Sequence, residues 1–332
     1  MHARPDTVFA DIDCYYSLHD DSTSNIEERA GPFMTLKRSF LLLAAAQLVL
    51  AGSLAHSATA KRSASRPHAP VRKAVLAGLD LKSSSVLVFD ESRSSVLYSR
   101  RSDVPMPIAS ITKLMTAMVV LEAKQPLDEP IKITADDRIQ GKGAFSRLTT
   151  GTTLTRGELM RLALMSSENR AAYVLGRRYP GGLPACVAAM NAKAKTLGMK
   201  HAHFVEPTGL SSRNVASAED LSRLVSAASK NSTIAEYSTG KQYTVRVGRQ
   251  MVEFHNTNAL VSNPTWEIMV QKTGYIAEAG KCLVMQAMIE GRQVVIVLLN
   301  SVGKYTRVAD ARRIRKWMEA QVSEGAVRAV AG

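Results

Sequence analysis

The succession of elements predicts an α+β fold, in which N- and C-terminal strands share one sheet and an all-helical subdomain is inserted between them. Three observations carry this. Apolar strand-like runs gather near residues 85–99 and again beyond residue 243, while the interval holds one capped helical pattern after another. The composition, 45% hydrophobic but 5% aromatic, with Ala, Leu, Val and Met plentiful, suits helices packed on a sheet better than an aromatic-rich sandwich. The 332 residues allow one large or two small domains, and no internal repeat or heptad pattern is evident.

Taken in order, S-S-V-L-V-F-D and S-V-L-Y-S flank the polar turn E-S-R-S and predict a hairpin over about residues 85–99. Pro107 delays the next helix to about Ser110, and the run that follows is apolar nearly all round, the mark of a buried helix. Residues 127–154 read as irregular with short β-like pieces such as I-K-I-T. Thr155 and Glu158 form a capping box that opens a helix reaching Ser166. Further helices are expected from Asn169, from Pro184 to Leu197 with Gly198 as C-cap, and from Ser217 to about Ser229. The pattern then turns to β: a hairpin around Gly248, strands at Ile268, Lys281 and Val294, and a closing helix from about Val308 to Val322. The folded domain is thus expected over 79–322, its helical subdomain over about 125–230, and a tail over 323–332.

The first sixty residues do not belong to that domain. From Met34 a short basic region (Lys37, Arg38) precedes an apolar core and an A-x-A at Ala58 to Ala60, the pattern of a secretory signal peptide over 34–60. Gln47, Gly52 and Ser53 interrupt the core, whereas a membrane anchor needs about 20 apolar residues. Residues 1–33 carry seven acidic and two basic side chains and read as an over-extended start, and residues 61–78 as a flexible basic leader. Removing residues 1–60 takes away four basic and seven acidic groups, which moves the formal charge from +14 to +17. So basic a chain favours an anionic polymer. For an exported protein the candidate partners are the cell wall, the membrane surface and other cell-wall enzymes rather than nucleic acid. Cys186 and Cys282 remain after cleavage and are expected as two buried thiols.

The chemistry is sought in three short motifs. In S-x-x-K at Ser110 and Lys113 the two side chains share a helical face, so a lysine can take the proton of a serine nucleophile. A helix beginning at that serine would also turn its free N–H groups towards an oxyanion. The same pattern recurs at Ser238 to Lys241 and at Ser301 to Lys304. Ser167 and Asn169 form S-x-N at a junction between two helices, with further copies at Ser212 to Asn214 and Ser229 to Asn231. Lys272, Thr273 and Gly274 form the single K-T-G, where small residues let a substrate backbone lie along a strand and the lysine and hydroxyl suit a carboxylate. His201 and His203 lack a third metal ligand of suitable spacing and read as a solvated loop; no cofactor is expected.

Only the copies at Ser110, Ser167 and Lys272 fall in order on helix start, inter-helix loop and strand, the signature of penicillin-binding proteins and class A β-lactamases. The strings I-A-S-I-T-K-L-M-T-A-M-V-V-L, L-A-L-M-S-S-E-N-R-A-A, F-V-E-P-T-G-L-S, N-T-N-A-L-V and K-T-G-Y resemble the D-alanyl-D-alanine endopeptidase branch of the low-molecular-mass penicillin-binding proteins over roughly residues 75–320. The resemblance implies a β-lactamase/transpeptidase-like fold with a five-stranded antiparallel sheet, helices on both faces and a helical subdomain. It also implies roles. Ser110 would be the nucleophile, Lys113 its base, Ser167 a proton relay to the leaving amine, and Asn169 the holder of the acyl-side amide and of Lys113. Lys272 and Thr273 would bind the substrate carboxylate, with Gly274 beside them, and the N–H groups of Ser110 and Tyr275 would form the oxyanion hole. Peptidoglycan peptide stems are then the substrate and β-lactam antibiotics the acylating inhibitors. Glu168 departs from the glycine many carboxypeptidases carry and is expected to add charge at the cleft mouth. A class A β-lactamase is disfavoured because no E-x-x-L-N string lies between Asn169 and Lys272; Glu206 has the wrong neighbours. A carboxypeptidase is the closer alternative.

Overall fold

The computed structural model describes residues 79–139 and 145–330, with side chains as far as residue 321. The segments read as an over-extended start, a signal peptide and a leader lie outside the described residues.

Strands β1 (Ser83–Asp90) and β2 (Ser95–Arg100) form the first hairpin, followed by the short β3 (Met106–Pro107). A 3-10 turn over Ala109–Ile111 leads into α1 (Thr112–Glu122). Next come β4 (Pro130–Lys132), β5 (Thr153–Thr155), α2 (Arg156–Met165), α3 (Asn169–Arg177), α4 (Gly182–Thr196), β6 (Val215–Ala216), α5 (Ala218–Ala228) and α6 (Ser232–Thr239). The hairpin of β7 (Gln242–Val247) and β8 (Gln250–His255) precedes β9 (Glu267–Ile276), β10 (Gly280–Ile289), β11 (Arg292–Ser301) and the closing α7 (Thr306–Val330). Five strands make one antiparallel sheet in the order β2-β1-β11-β10-β9, so the two ends of the chain share it as expected.

Alternation along these strands sorts the core to two faces. Val86, Val88, Leu283, Met285, Ile296 and Leu298 pack with Ile314 and Met318 of α7 on one side. Leu87, Val270, Val284, Val295 and Val297 meet the helical insertion on the other. Burial on both faces is why these strands read as continuous apolar runs. α1 is buried from Thr112 to Val120 and touches each of α2 to α6, which accounts for its lack of a polar side.

Three expectations are corrected. Ser110 does not begin an α-helix: it lies in the 3-10 turn, after Ala109 at φ 47°, and α1 starts at Thr112. K-T-G falls on a strand as expected, inside β9, which continues to Ile276 and pairs with β10 over that whole length. α6, capped by the Asn231 side chain, extends the helical insertion past residue 230; it is a short helix without a strong apolar stripe. The expected tail is helical as far as Val330. Cys186 and Cys282 are free and buried, and burial pushes their thiols up to about 12 and about 11.

Candidate active site

Ser110 and Lys113 are three residues apart where the 3-10 turn runs into α1, and this brings Lys113 Nζ to 2.7 Å from Ser110 Oγ. The ammonium also donates to Asn169 Oδ1 at 2.7 Å and to the Thr208 carbonyl at 2.6 Å. Three acceptors match its three protons. Lys113 is 1% exposed, and Ser110, at 9%, opens onto a cleft of about 410 Å³. Burial lowers the Lys113 pKa to about 7, against the opposing charges of Glu206 and Glu168.

Ser167 and Asn169 reach the same cleft from the α2–α3 junction. Ser167 holds a left-handed backbone, φ 62°, a strained conformation for serine that reverses the chain between the two helices. Glu168 does not charge the cleft mouth. It is buried, and its carboxylate turns back to accept the Arg170 N–H at 3.1 Å, capping α3.

From the sheet edge, Thr273, Gly274 and Tyr275 line the cleft beside Ser110. A Cβ on Gly274 would lie 2.9 Å from Ile108 O and 3.2 Å from Ser110 N, so glycine lets β9 run against the 3-10 turn. Tyr275 is 60% exposed, with Lys281 Nζ 4.0 Å above its ring. Lys272 is set back from the surface of the cleft. It shares its face of β9 with Val270, turned to the helical insertion, is 0% exposed, and does not line the cleft; its Nζ donates to the Thr273 carbonyl at 3.0 Å. Burial first, then the charges of Lys113 and Arg307, hold its pKa well below the usual lysine value.

Six residues of the cleft, Leu210, Thr257, Ile276, Ala277, Glu278 and Arg307, had no assigned role in the sequence. Thr257, from N-T-N, shares a 2.6 Å hydrogen bond with the Thr273 hydroxyl. Leu210 faces in from the loop before β6. Arg307, at the start of α7, donates to the Gly274 carbonyl at 2.9 Å and puts a cation at the cleft wall. Thr257 and Leu210 stand within strings that carry the family resemblance, whereas no pattern around Arg307 distinguishes it from other basic residues. The competing motif copies are structural: Ser238 and Ser301 are buried, Asn231 caps α6, and Asn214 is bonded to Glu206 and Thr112.

A cleft-facing serine in contact with a buried lysine of lowered pKa, beside a strand edge and an arginine, has the parts of a serine acyl-transfer site. A family model for D-alanyl-D-alanine carboxypeptidases matches residues 69–303, and the chain belongs to this family of serine peptidases. It is 50% identical over 242 residues to a D-alanyl-D-alanine endopeptidase of Pseudomonas aeruginosa, covering 72% of this chain and 78% of that protein. An Escherichia coli D-alanyl-D-alanine endopeptidase is 45% identical over the same shares. The Streptomyces K15 DD-transpeptidase superposes with TM-score 0.65 at 27% identity, covering 72% of this chain and 98% of the other. Penicillin-binding protein D2 of Listeria monocytogenes, solved in its cefotaxime-bound form, gives 0.65 at 28% identity, also over 72% and 98%.

Proposed function

We propose that this protein is an exported serine D,D-endopeptidase that hydrolyses D-alanyl cross-links in peptidoglycan and is acylated by penicillins. The observation that carries the reading is the Ser110 Oγ to Lys113 Nζ contact of 2.7 Å at the floor of a cleft walled by Ser167, Asn169, Thr273 and Arg307. Neutral Lys113 takes the proton as Ser110 Oγ attacks the D-alanyl carbonyl. The backbone N–H groups of Ser110 and Tyr275 receive the oxyanion, each such donor being worth about 3 kcal/mol of barrier. The tetrahedral adduct collapses to an ester on Ser110, the proton passes by way of Ser167 to the leaving amine, and water then releases the peptide. Thr273 and Arg307 face the substrate carboxylate, and Lys272 contributes from beneath the floor. The signal peptide read at 34–60 supports a periplasmic location; among the described residues no helix is long and apolar enough to cross a membrane.

Endopeptidase is favoured over carboxypeptidase by the identity to the two endopeptidases, set against 31% to a Streptomyces carboxypeptidase. Digestion of purified cross-linked muropeptides tests the choice. Dimers should fall to monomers without prior loss of terminal D-alanine, and release of free D-alanine alone would refute the assignment.

The pKa of Lys113 sets a second expectation. Only the unprotonated amine can take the serine proton, so the acylation rate should rise with pH through about 7 and level off above it. Stopped-flow acylation by a chromogenic cephalosporin across pH 5–9 measures this (roughly two pH units either side of the midpoint). A rate flat across that range would exclude Lys113 as the base.

A further inference from the structure

The acid in E-P-T-G-L has no part in the mechanism above, yet its surroundings are built around it. The Glu206 carboxylate is turned into its own loop, where five donors converge on it. Oε2 accepts the Thr208 N–H and hydroxyl, each at 2.6 Å. Oε1 accepts the Gly209 N–H at 2.6 Å, the Ser211 N–H at 3.3 Å and Asn214 Nδ2 at 2.9 Å. The loop is also seated on both helices that carry the site. Thr116 of α1 donates to the Pro207 carbonyl at 2.8 Å, and Gly176 of α3 leaves the space that Pro207 fills. At its centre, the Thr208 carbonyl receives Lys113 Nζ at 2.6 Å.

We propose that Glu206 is a positioning residue for the acylation step: its carboxylate fixes the loop whose Thr208 carbonyl holds Lys113 against Ser110. The inference rests on the serine peptidase reading and names a residue through which that chemistry is tuned. A carbonyl aimed at an amine restricts it to one geometry, and a carbonyl of a loop with free backbone torsions would not. Two oxygens meeting five donors remove that freedom more completely than a neutral side chain could, because charged acceptors form stronger hydrogen bonds.

The second contribution is electrostatic. The charged groups facing Lys113 are Glu206 from this loop, Glu168 from the α2–α3 junction and Lys272 from β9, on which Arg307 of α7 acts in turn. The two carboxylates favour the protonated amine and oppose burial, and Glu206 is the larger of them. Its negative charge keeps the amine from becoming too weak a base.

Two substitutions separate geometry from charge. Glu206→Gln removes the charge and places an amide donor against the Thr208 N–H or the Gly209 N–H. The midpoint of acylation against pH should move down by about one unit, and the maximal rate should fall about 10- to 100-fold. Glu206→Asp keeps the charge one methylene further back, so the midpoint should stay near its original value while the maximal rate falls. Near-UV circular dichroism and Tm verify folding, and should the glutamine variant not fold, the aspartate variant carries the test by its split between rate and midpoint. A glutamine variant with an unmoved midpoint, or an aspartate variant with the original rate, would overturn the inference. If the unsubstituted protein shows no acylation at any pH, the peptidase reading itself fails and takes this one with it.

Discussion

Ser110→Ala should abolish both penicillin labelling and cleavage of cross-linked muropeptides, lowering turnover by at least about 10⁴-fold, with the fold intact. The substitution removes one oxygen from the cleft floor and one of three acceptors around Lys113, whose other partners, Asn169 and Thr208, remain. In the proposed mechanism the hydroxyl forms the covalent bond, so no neighbour can stand in for it. Bocillin-type fluorescent labelling on a denaturing gel and mass spectrometry of the acylated peptide measure the outcome. Ser301→Ala, in another copy of S-x-x-K, is the control. Its side chain is buried against Ser83, so labelling should persist. Retained cleavage in Ser110→Ala would remove Ser110 from its role.

The parts of the site legible in the sequence were those whose chemistry is local. Ser110 and Lys113 meet through one turn of chain, and Thr273 and Gly274 share one strand edge, so spacing and context were enough. The helices α2 and α5 announced themselves through capping boxes that the structure reproduces at Thr155 with Glu158 and Ser217 with Asp220. What escaped depends on tertiary approach. Arg307 is 35 positions beyond Lys272 and becomes a cleft residue only because α7 starts beside the ends of β9 and β10, where it donates to Gly274 and Cys282 carbonyls. Lys272 read as a solvated or substrate-facing cation; strand alternation sets its side chain beneath the floor, where burial lowers its pKa. Glu168 looked like a charge at the mouth, but the chain reversal at Ser167 makes it the cap of α3. Sequence spacing also misjudged the nucleophile's backbone. Ala109 at φ 47° is a strain that no residue type advertised, and it exists because a neighbouring glycine makes room for it.

That glycine carries the other large expected effect. Gly209→Ala should reduce acylation about 100-fold and lower Tm by roughly 6–12 °C, although Gly209 does not line the cleft. Its φ of +81° already disfavours an L side chain by about 1–2 kcal/mol. More decisive is the space: a Cβ there would overlap the Ala109 carbonyl and lie within 2.8 Å of Ser110 N. Both neighbours are backbone of the turn that carries the nucleophile, so neither can swing aside as a flexible side chain would. Relief requires the loop to withdraw, which drags the Thr208 carbonyl from Lys113, or the turn to shift, which displaces the Ser110 N–H from its proposed place at the oxyanion. Gly151→Ala separates this steric effect from backbone strain alone. Gly151 has a similar φ, +89°, but nothing lies within 4 Å of the added carbon, so that variant should lose about 1 kcal/mol and keep its acylation rate. Thermal unfolding and the acylation rate of the two variants, measured side by side, decide the matter. Equal behaviour would show that the contact between this loop and the Ala109 carbonyl does not position Ser110.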